Sequence, residues 1–86
     1  MRENLEKSPL RVVGLRQVLR AAGEGKAEKV YLADDASLDI REKVLHAAQT
    51  HRVPVGHIGS MRALAHLCRV DVPTSCAAVL KDANNS

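Results

Sequence analysis

Short apolar runs alternate with longer amphipathic segments along this chain, and the alternation restricts the folds open to it. Residues 29–33 and 76–80 are compact and apolar, with the length and composition of buried strands. Residues 38–50 lie between them and place their apolar side chains at the spacing of one helix face. Strands that alternate with helices of about ten residues predict a layered α/β domain.

The same patterns predict the order of the elements. Strands are expected at residues 10–13, 29–33, 54–58 and 76–80, and helices at 14–22, at 38–50 and after Gly59-Ser60. These elements predict a small mixed sheet of about four strands with helices on both faces. Eighty-six residues are enough for a single domain, here 1–86. Residues 1–9 are expected to form an arm or short helix, and residues 82–86 a frayed polar tail.

Composition excludes several classes of protein. With 45% hydrophobic and 27% charged residues, the chain has a globular composition. No apolar run approaches the roughly 20 residues of a membrane span, and the N-terminal residues do not resemble a signal peptide. We therefore expect a cytoplasmic protein with no membrane partner, in which Cys68 and Cys76 are reduced and buried. Tyr31 is the one aromatic residue, which excludes modules that stack RNA bases on an aromatic sheet.

The segment after Gly14 predicts a helix with two different faces. Apolar residues repeat at helical spacing on one side, whereas Arg16, Gln17 and Arg20 fall together on the other. A glycine at a helix start lets another backbone come close, and the positive end of the helix favours phosphate there. Residues 7–23 contain four basic residues and no Asp or Glu. This cluster is typical of a surface that faces phosphates, although a solvated helix face has the same composition.

This segment resembles the RNA-contacting segment of the kink-turn-binding ribosomal proteins. The family includes the archaeal multifunctional kink-turn protein and small bacterial relatives of the YbxF and YlxQ type. Its pattern is a glycine, a spacer, two polar RNA-contacting residues, two apolar residues and a basic residue. The matching residues here are Gly14, Leu15, Arg16, Gln17, Val18, Leu19 and Arg20. The polar pair is usually Asn-Glu in archaeal members, whereas the bacterial relatives carry a basic residue followed by Gln, as this chain does.

A second match lies in the loop before the last predicted strand. The family sequence there is aliphatic, acidic, Val, then Pro or a small residue, and this chain has Val70, Asp71, Val72 and Pro73. The resemblance covers about residues 10–80 and implies a three-layer α-β-α sandwich. It also implies that this loop lies beside the glycine-led helix and that the two valines cover a flipped-out nucleotide. The alternative from the residues alone is that both valines belong to the core.

The resemblance implies an RNA-binding protein whose partner is a kink turn with tandem sheared G·A pairs or ribosomal RNA, acting on or with the ribosome. For a domain of this size that holds RNA, we expect a monomer. We expect no enzyme, cofactor, metal or small-molecule substrate, because the sequence has no nucleophile motif, phosphate loop, dinucleotide fingerprint or zinc spacing. Asp34-Asp35, the only acidic pair, is expected to form a turn and a helix cap. The alternative function is a protein–protein adaptor with the same fold, which would expose an apolar patch, for instance around Leu64 and Leu67.

Overall fold

Four strands and three helices alternate along the chain in the computed structural model, which describes residues 10–81. The predictions for residues 1–9 and 82–86 lie outside the described residues. The elements follow the expected order closely, and the bounds of α2 and β4 are those predicted. They are β1 (Arg11–Val13), α1 (Leu15–Gly23), β2 (Ala27–Ala33), α2 (Leu38–Thr50), β3 (Val55–Ile58), α3 (Met61–Cys68) and β4 (Cys76–Leu80).

The strands form one mixed sheet in the order β1-β4-β2-β3. Strand β4 is antiparallel to both β1 and β2, whereas β2 and β3 are parallel. Strands β1, β2 and β3 therefore all end at the same edge of the sheet, and β4 begins there. This edge is called the upper edge below.

Side chains of the two central strands alternate between two cores, as period-2 geometry requires. Val30 and Leu32 pack on one face with residues of α1 and α2. Tyr31 and Ala33 pack on the other face with residues of α3. The structure thus confirms a three-layer α-β-α sandwich with a four-stranded mixed sheet.

Strand β2 begins two residues earlier than predicted. The prediction relied on the apolar run from Lys29, but Ala27 already pairs with Leu80 across an irregularity in the register. Glu28 lies at this irregularity with its side chain exposed. Local bulges of this kind accommodate a residue that does not fit the ladder, so the apolar pattern alone marks the start too late.

Helix α1 ends in a Schellman motif. The N–H of Lys26 donates to the carbonyl of Ala21 at 2.9 Å, and that of Gly25 donates to the carbonyl of Ala22 at 3.2 Å. Gly25 has a φ of +72°, the left-handed conformation that this motif requires. The turn therefore directs the chain from the end of α1 straight into β2.

Candidate nucleic-acid interface

Gly14 connects β1 to α1 in a backbone conformation that is open almost only to glycine. Its φ is 101° and its ψ is 157°, where a side chain would clash with the backbone. The N–H of Gly14 donates to the carbonyl of Cys76 at 2.9 Å, so the first turn of α1 is fixed to the start of β4 at the upper edge. A Cβ built on Gly14 would have no atom within 4 Å. The space in front of the helix start is therefore open.

The N-terminus of α1 differs from those of the other two helices. Ser37 caps α2 by accepting from the N–H of Ile40 at 3.3 Å, and Ser60 caps α3 by accepting from that of Ala63 at 3.0 Å. Gly14 provides no side-chain cap, and the first turn of α1 has no acidic residue. Within residues 10–81, the N–H groups of the first three helical residues have no partner; they belong to Leu15, Arg16 and Gln17. Open N–H groups and the helix dipole together favour an anionic partner.

The three polar residues predicted to contact RNA are all exposed, and they lie on the outer face of α1. The opposite face is buried against the sheet and α2 through Val18, Ala21 and Ala22. Leu15 is half-buried against the same core. The 3.6-residue period therefore presents Arg16, Gln17 and Arg20 to solvent as one surface, beside the open N–H groups.

Glu24 lowers the positive charge of this surface at its far end. The Nε of Arg20 lies 3.7 Å from the Glu24 carboxylate, and the Nζ of Lys26 lies 3.3 Å from it. Both pairs are exposed, and such pairs are typically worth less than about 1 kcal/mol. Arg20 can therefore exchange Glu24 for a phosphate at small cost, whereas Arg16 has no ion pair within the described part of the chain.

The second predicted segment, residues 70–73, lies in the loop between α3 and β4, and we call it the valine loop. The N–H of Val70 donates to the carbonyl of Ala65 at 3.1 Å, and that of Thr74 donates to the carbonyl of Met61 at 3.2 Å. The hydroxyl of Thr74 donates to the carbonyl of Val72 at 3.2 Å. The loop is thus tied to α3 at both of its ends.

The two valines of this loop have different environments. Val70 is half-buried and packs against the core below α3, as the alternative of core packing predicts. Val72 has 65% of its surface exposed, and Asp71 and Pro73 are also exposed. Of the two valines, Val72 therefore has the larger apolar surface available for contact with a base.

Backbone connections place the valine loop and the start of α1 at the same edge of the sheet. Ser75 follows the loop and its carbonyl accepts from the N–H of Ala33 at 2.9 Å, where β2 ends. Cys76 comes next and holds Gly14 through the bond described above. Backbone hydrogen bonds therefore place the two predicted segments at the same edge of the sheet, although about fifty residues separate them in sequence.

The basic cluster of residues 7–23 does not form one surface. Lys7 lies outside the described residues, and Arg11 extends over the other face of the sheet. The Nη2 of Arg11 donates to the carbonyl of Cys68 at 2.9 Å, at the C-terminus of α3. The alternation of strand side chains accounts for this, because Arg11 and Val13 share the α3 face of β1. Arg11 therefore helps to satisfy the end of a helix, and the expectation that it faces phosphates with Arg16 is wrong.

The two cysteines and the two neighbouring aspartates lie outside the proposed interface. Cys68 and Cys76 are free and buried, as expected; burial raises the pKa of both thiols, an effect that Arg11 partly offsets at Cys68. The Asp35 carboxylate accepts from the N–H of Met61 at 2.7 Å and so caps α3. Asp34 lies 3.4 Å from the Nδ1 of His57, with both side chains exposed.

Three classes of site receive no support from the described residues. Within residues 10–81, no three His, Cys, Asp or Glu side chains are grouped as metal ligands would be. No helix in this range combines the length and apolar character needed to cross a membrane. Leu64 is completely buried and Leu67 packs against the core. The adaptor hypothesis predicted an exposed apolar patch around these two residues, and that prediction is wrong.

An α/β sandwich with an uncapped, cation-lined helix end beside an exposed valine has the features of a nucleic-acid-binding domain. The comparison with known proteins gives the family: the chain belongs to the ribosomal protein L7Ae/L30e/S12e/Gadd45 family, whose profile matches residues 3–86.

Several relatives carry names that concern RNA. The chain is 41% identical over 70 residues to the RNA-binding protein YbxF of Geobacillus stearothermophilus, a match that covers 81% of this chain and 85% of the relative. It is 28% identical over 76 residues to the large ribosomal subunit protein eL30 of Methanococcus maripaludis, covering 87% of this chain and 72% of the relative. A solved Giardia lamblia 15.5kD RNA binding protein superposes with a TM-score of 0.73 and 38% identity, covering 87% of this chain and 63% of that one. The family and these names support RNA binding and indicate a ribosomal type of protein rather than an enzyme.

Proposed function

We propose that this protein binds kink-turn RNA and stabilises its bent form, using the N-terminus of α1 and the valine loop. The observation that carries the proposal is the juxtaposition at the upper edge. Three open N–H groups and the exposed Arg16 and Gln17 belong to α1, which the Gly14–Cys76 hydrogen bond joins to the start of β4. The exposed Val72 lies in the loop that leads into β4 at the same edge.

The chemistry suits a kinked RNA better than a regular helix. The deep major groove of regular RNA does not admit side chains, whereas tandem sheared G·A pairs at a sharp bend expose base edges. Arg can bridge the O6 and N7 of guanine, and Gln can pair with an adenine edge. The open N–H groups, together with Arg16 and Arg20, would hold the bent phosphates. Val72 would cover an unstacked base.

A gel-shift titration with two RNAs tests the proposal. One RNA contains a kink turn, and in the other the G·A pairs are replaced by Watson–Crick pairs. Because base contacts are lost, we expect the second RNA to bind at least about tenfold more weakly. The slope of log affinity against log salt for the kink turn should be roughly −2 to −4, for three or four phosphates neutralised. Equal affinity for the two RNAs would reject recognition of the kink turn.

Two pairs of variants separate base contacts from phosphate contacts. Gln17→Ala should reduce the discrimination between the two RNAs by about 1–3 kcal/mol, whereas Gln49→Ala, an exposed glutamine on α2, should leave it unchanged. Arg20→Ala should make the salt slope shallower by about 1. Lys43→Ala is its matched control, since Lys43 also forms an exposed i,i+4 pair, with Asp39. Identical slopes for the last two variants would remove Arg20 from the interface.

The physiological RNA is proposed to be a structured RNA on or associated with the ribosome. The named relatives include a ribosomal protein as well as small RNA-binding proteins, which supports this choice. The cytoplasmic location and the monomeric state expected from the sequence remain predictions.

A further inference from the structure

One flank of α3 carries basic side chains that the proposed interface does not use. Arg62 and His66 lie one turn apart on this helix, and both are exposed. Helix α3 contains no acidic residue. Within residues 10–81, Arg62 has no ion-pair partner. We call Arg62 and His66 the α3 flank.

The α3 flank faces the valine loop across an open cleft. Arg62 and His66 line one side, the valine loop lines the other, and the cleft has a volume of about 310 Å³. Its walls are held in place, because the loop is hydrogen-bonded to α3 through Val70 and Thr74. The cleft is therefore a fixed feature of the surface.

Topology places the cleft next to the proposed RNA site. Strands β1 and β3 end at the upper edge, so α1 and α3 both begin there, on opposite faces of the sheet. The valine loop returns to this edge between the two helices. The N–H of Thr74 donates to the carbonyl of Met61 in α3, and the N–H of Gly14, just before α1, donates to the carbonyl of Cys76. An RNA that contacts α1 and covers Val72 consequently reaches the cleft once it passes over the loop.

The charges on the two sides of the cleft favour contact with the phosphate backbone of the RNA on the helix side. Asp71 contributes a carboxylate to the loop side of the cleft, which disfavours phosphate over the loop itself. Arg62 is on the helix side, where phosphate is favoured. A long, unpaired arginine side chain at a surface serves as a backbone contact that does not depend on the base.

We infer that the α3 flank is a second phosphate-binding surface, which holds the backbone of the same RNA on the far side of the valine loop from α1. This inference rests on the proposed function and extends it. The RNA is then held on both sides of the loop, so that its two phosphate contacts straddle the base that Val72 covers.

The test compares two single variants with the same change in charge. Arg62→Gln removes the guanidinium that lines the cleft. Arg69→Gln is the control, because Arg69 is also an exposed arginine without an ion-pair partner within residues 10–81, but it does not line the cleft. Thermal unfolding of both variants confirms that each is folded at the temperature of the binding assay.

The readout is the salt dependence of affinity for the kink-turn RNA. Arg62→Gln should bind roughly 3- to 10-fold more weakly near physiological salt, with a slope shallower by about 1, since each lost phosphate contact removes about 0.7–0.9 from the slope. The control variant should stay within about twofold of the wild type. Equal slopes for the two variants, with normal binding by the wild type, would overturn this inference alone. Failure of the wild-type protein to distinguish the kink turn would overturn the proposed function, and this inference with it.

Discussion

Replacing Gly14 by alanine should lower both the stability of the protein and its affinity for RNA, and the two effects can be measured separately. With a φ of 101° and a ψ of 157°, a residue with a Cβ is strained here by about 1–3 kcal/mol. The new methyl group has no neighbour within 4 Å, so no steric clash adds to this strain. For a domain of this size, each kcal/mol lowers the melting temperature by about 4–8 °C. Thermal unfolding followed by circular dichroism measures this loss.

Gly25→Ala is the matched control at the other end of the same helix. Gly25 has a φ of +72°, and its Cβ would also meet no atom within 4 Å. Alanine there costs about 1–2 kcal/mol of backbone strain. Both substitutions therefore destabilise the protein through the backbone alone. They differ in what the methyl group faces, since only Gly14 lies in front of the open N–H groups.

Binding should distinguish the two variants at a temperature where both are folded. A methyl group in front of α1 would keep a phosphate from the open N–H groups. Losing one charge-assisted hydrogen bond, worth about 1.5–3 kcal/mol, weakens binding on the order of 10- to 100-fold. Gly25→Ala should bind within about twofold of the wild type. Wild-type affinity in Gly14→Ala would refute the close approach of RNA to the helix start.

Two further predictions concern the other face of the sheet and the thiols. Arg11→Gln removes the charged donor to the Cys68 carbonyl, so urea unfolding should show a loss of about 1–2 kcal/mol; unchanged stability would contradict its role at the end of α3. Burial raises the folded-state pKa of Cys68 and Cys76 above the ordinary value of 9.0. The unfolded chain then loses these protons at lower pH, and the free energy of unfolding should fall from about pH 8 to about pH 10. A variant with both cysteines changed to alanine should lose less stability over this range, and an equal loss would mean that other groups cause it.

Elements with strong local signals could be predicted from the sequence closely. Ser37 before α2 marks its start, and the small and aliphatic run of β4 has the length of one strand, so both were placed with their observed bounds. The position of β4 between β1 and β2 has no local signal, because the pairing partner of a strand depends on contacts distant in sequence. The resemblance to a family implied the three-layer sandwich, but the order of the strands was not predicted.

The candidate site also has some features that the sequence predicts and others that it does not. Helical periodicity was sufficient to predict that Arg16, Gln17 and Arg20 share an exposed face. The i,i+4 spacing of Arg20 and Glu24 is the signal from which their ion pair could have been predicted. The different burial of Val70 and Val72 was not predictable from spacing, because it follows from how the end of α3 docks on the sheet. The missing cap of α1 becomes evident only beside the serine caps of the other two helices.

The central claim is that RNA contacts the N-terminus of α1, and a titration of amide resonances with kink-turn RNA tests it most directly. The amides of Leu15, Arg16 and Gln17 have no partner in the described part of the protein, so a phosphate or base that binds them should shift their resonances strongly and slow their exchange with solvent. The amides of the exposed residues Glu42 and Lys43 on α2 should remain where they are. Large shifts on α2, with none at residues 15–17, would contradict the account.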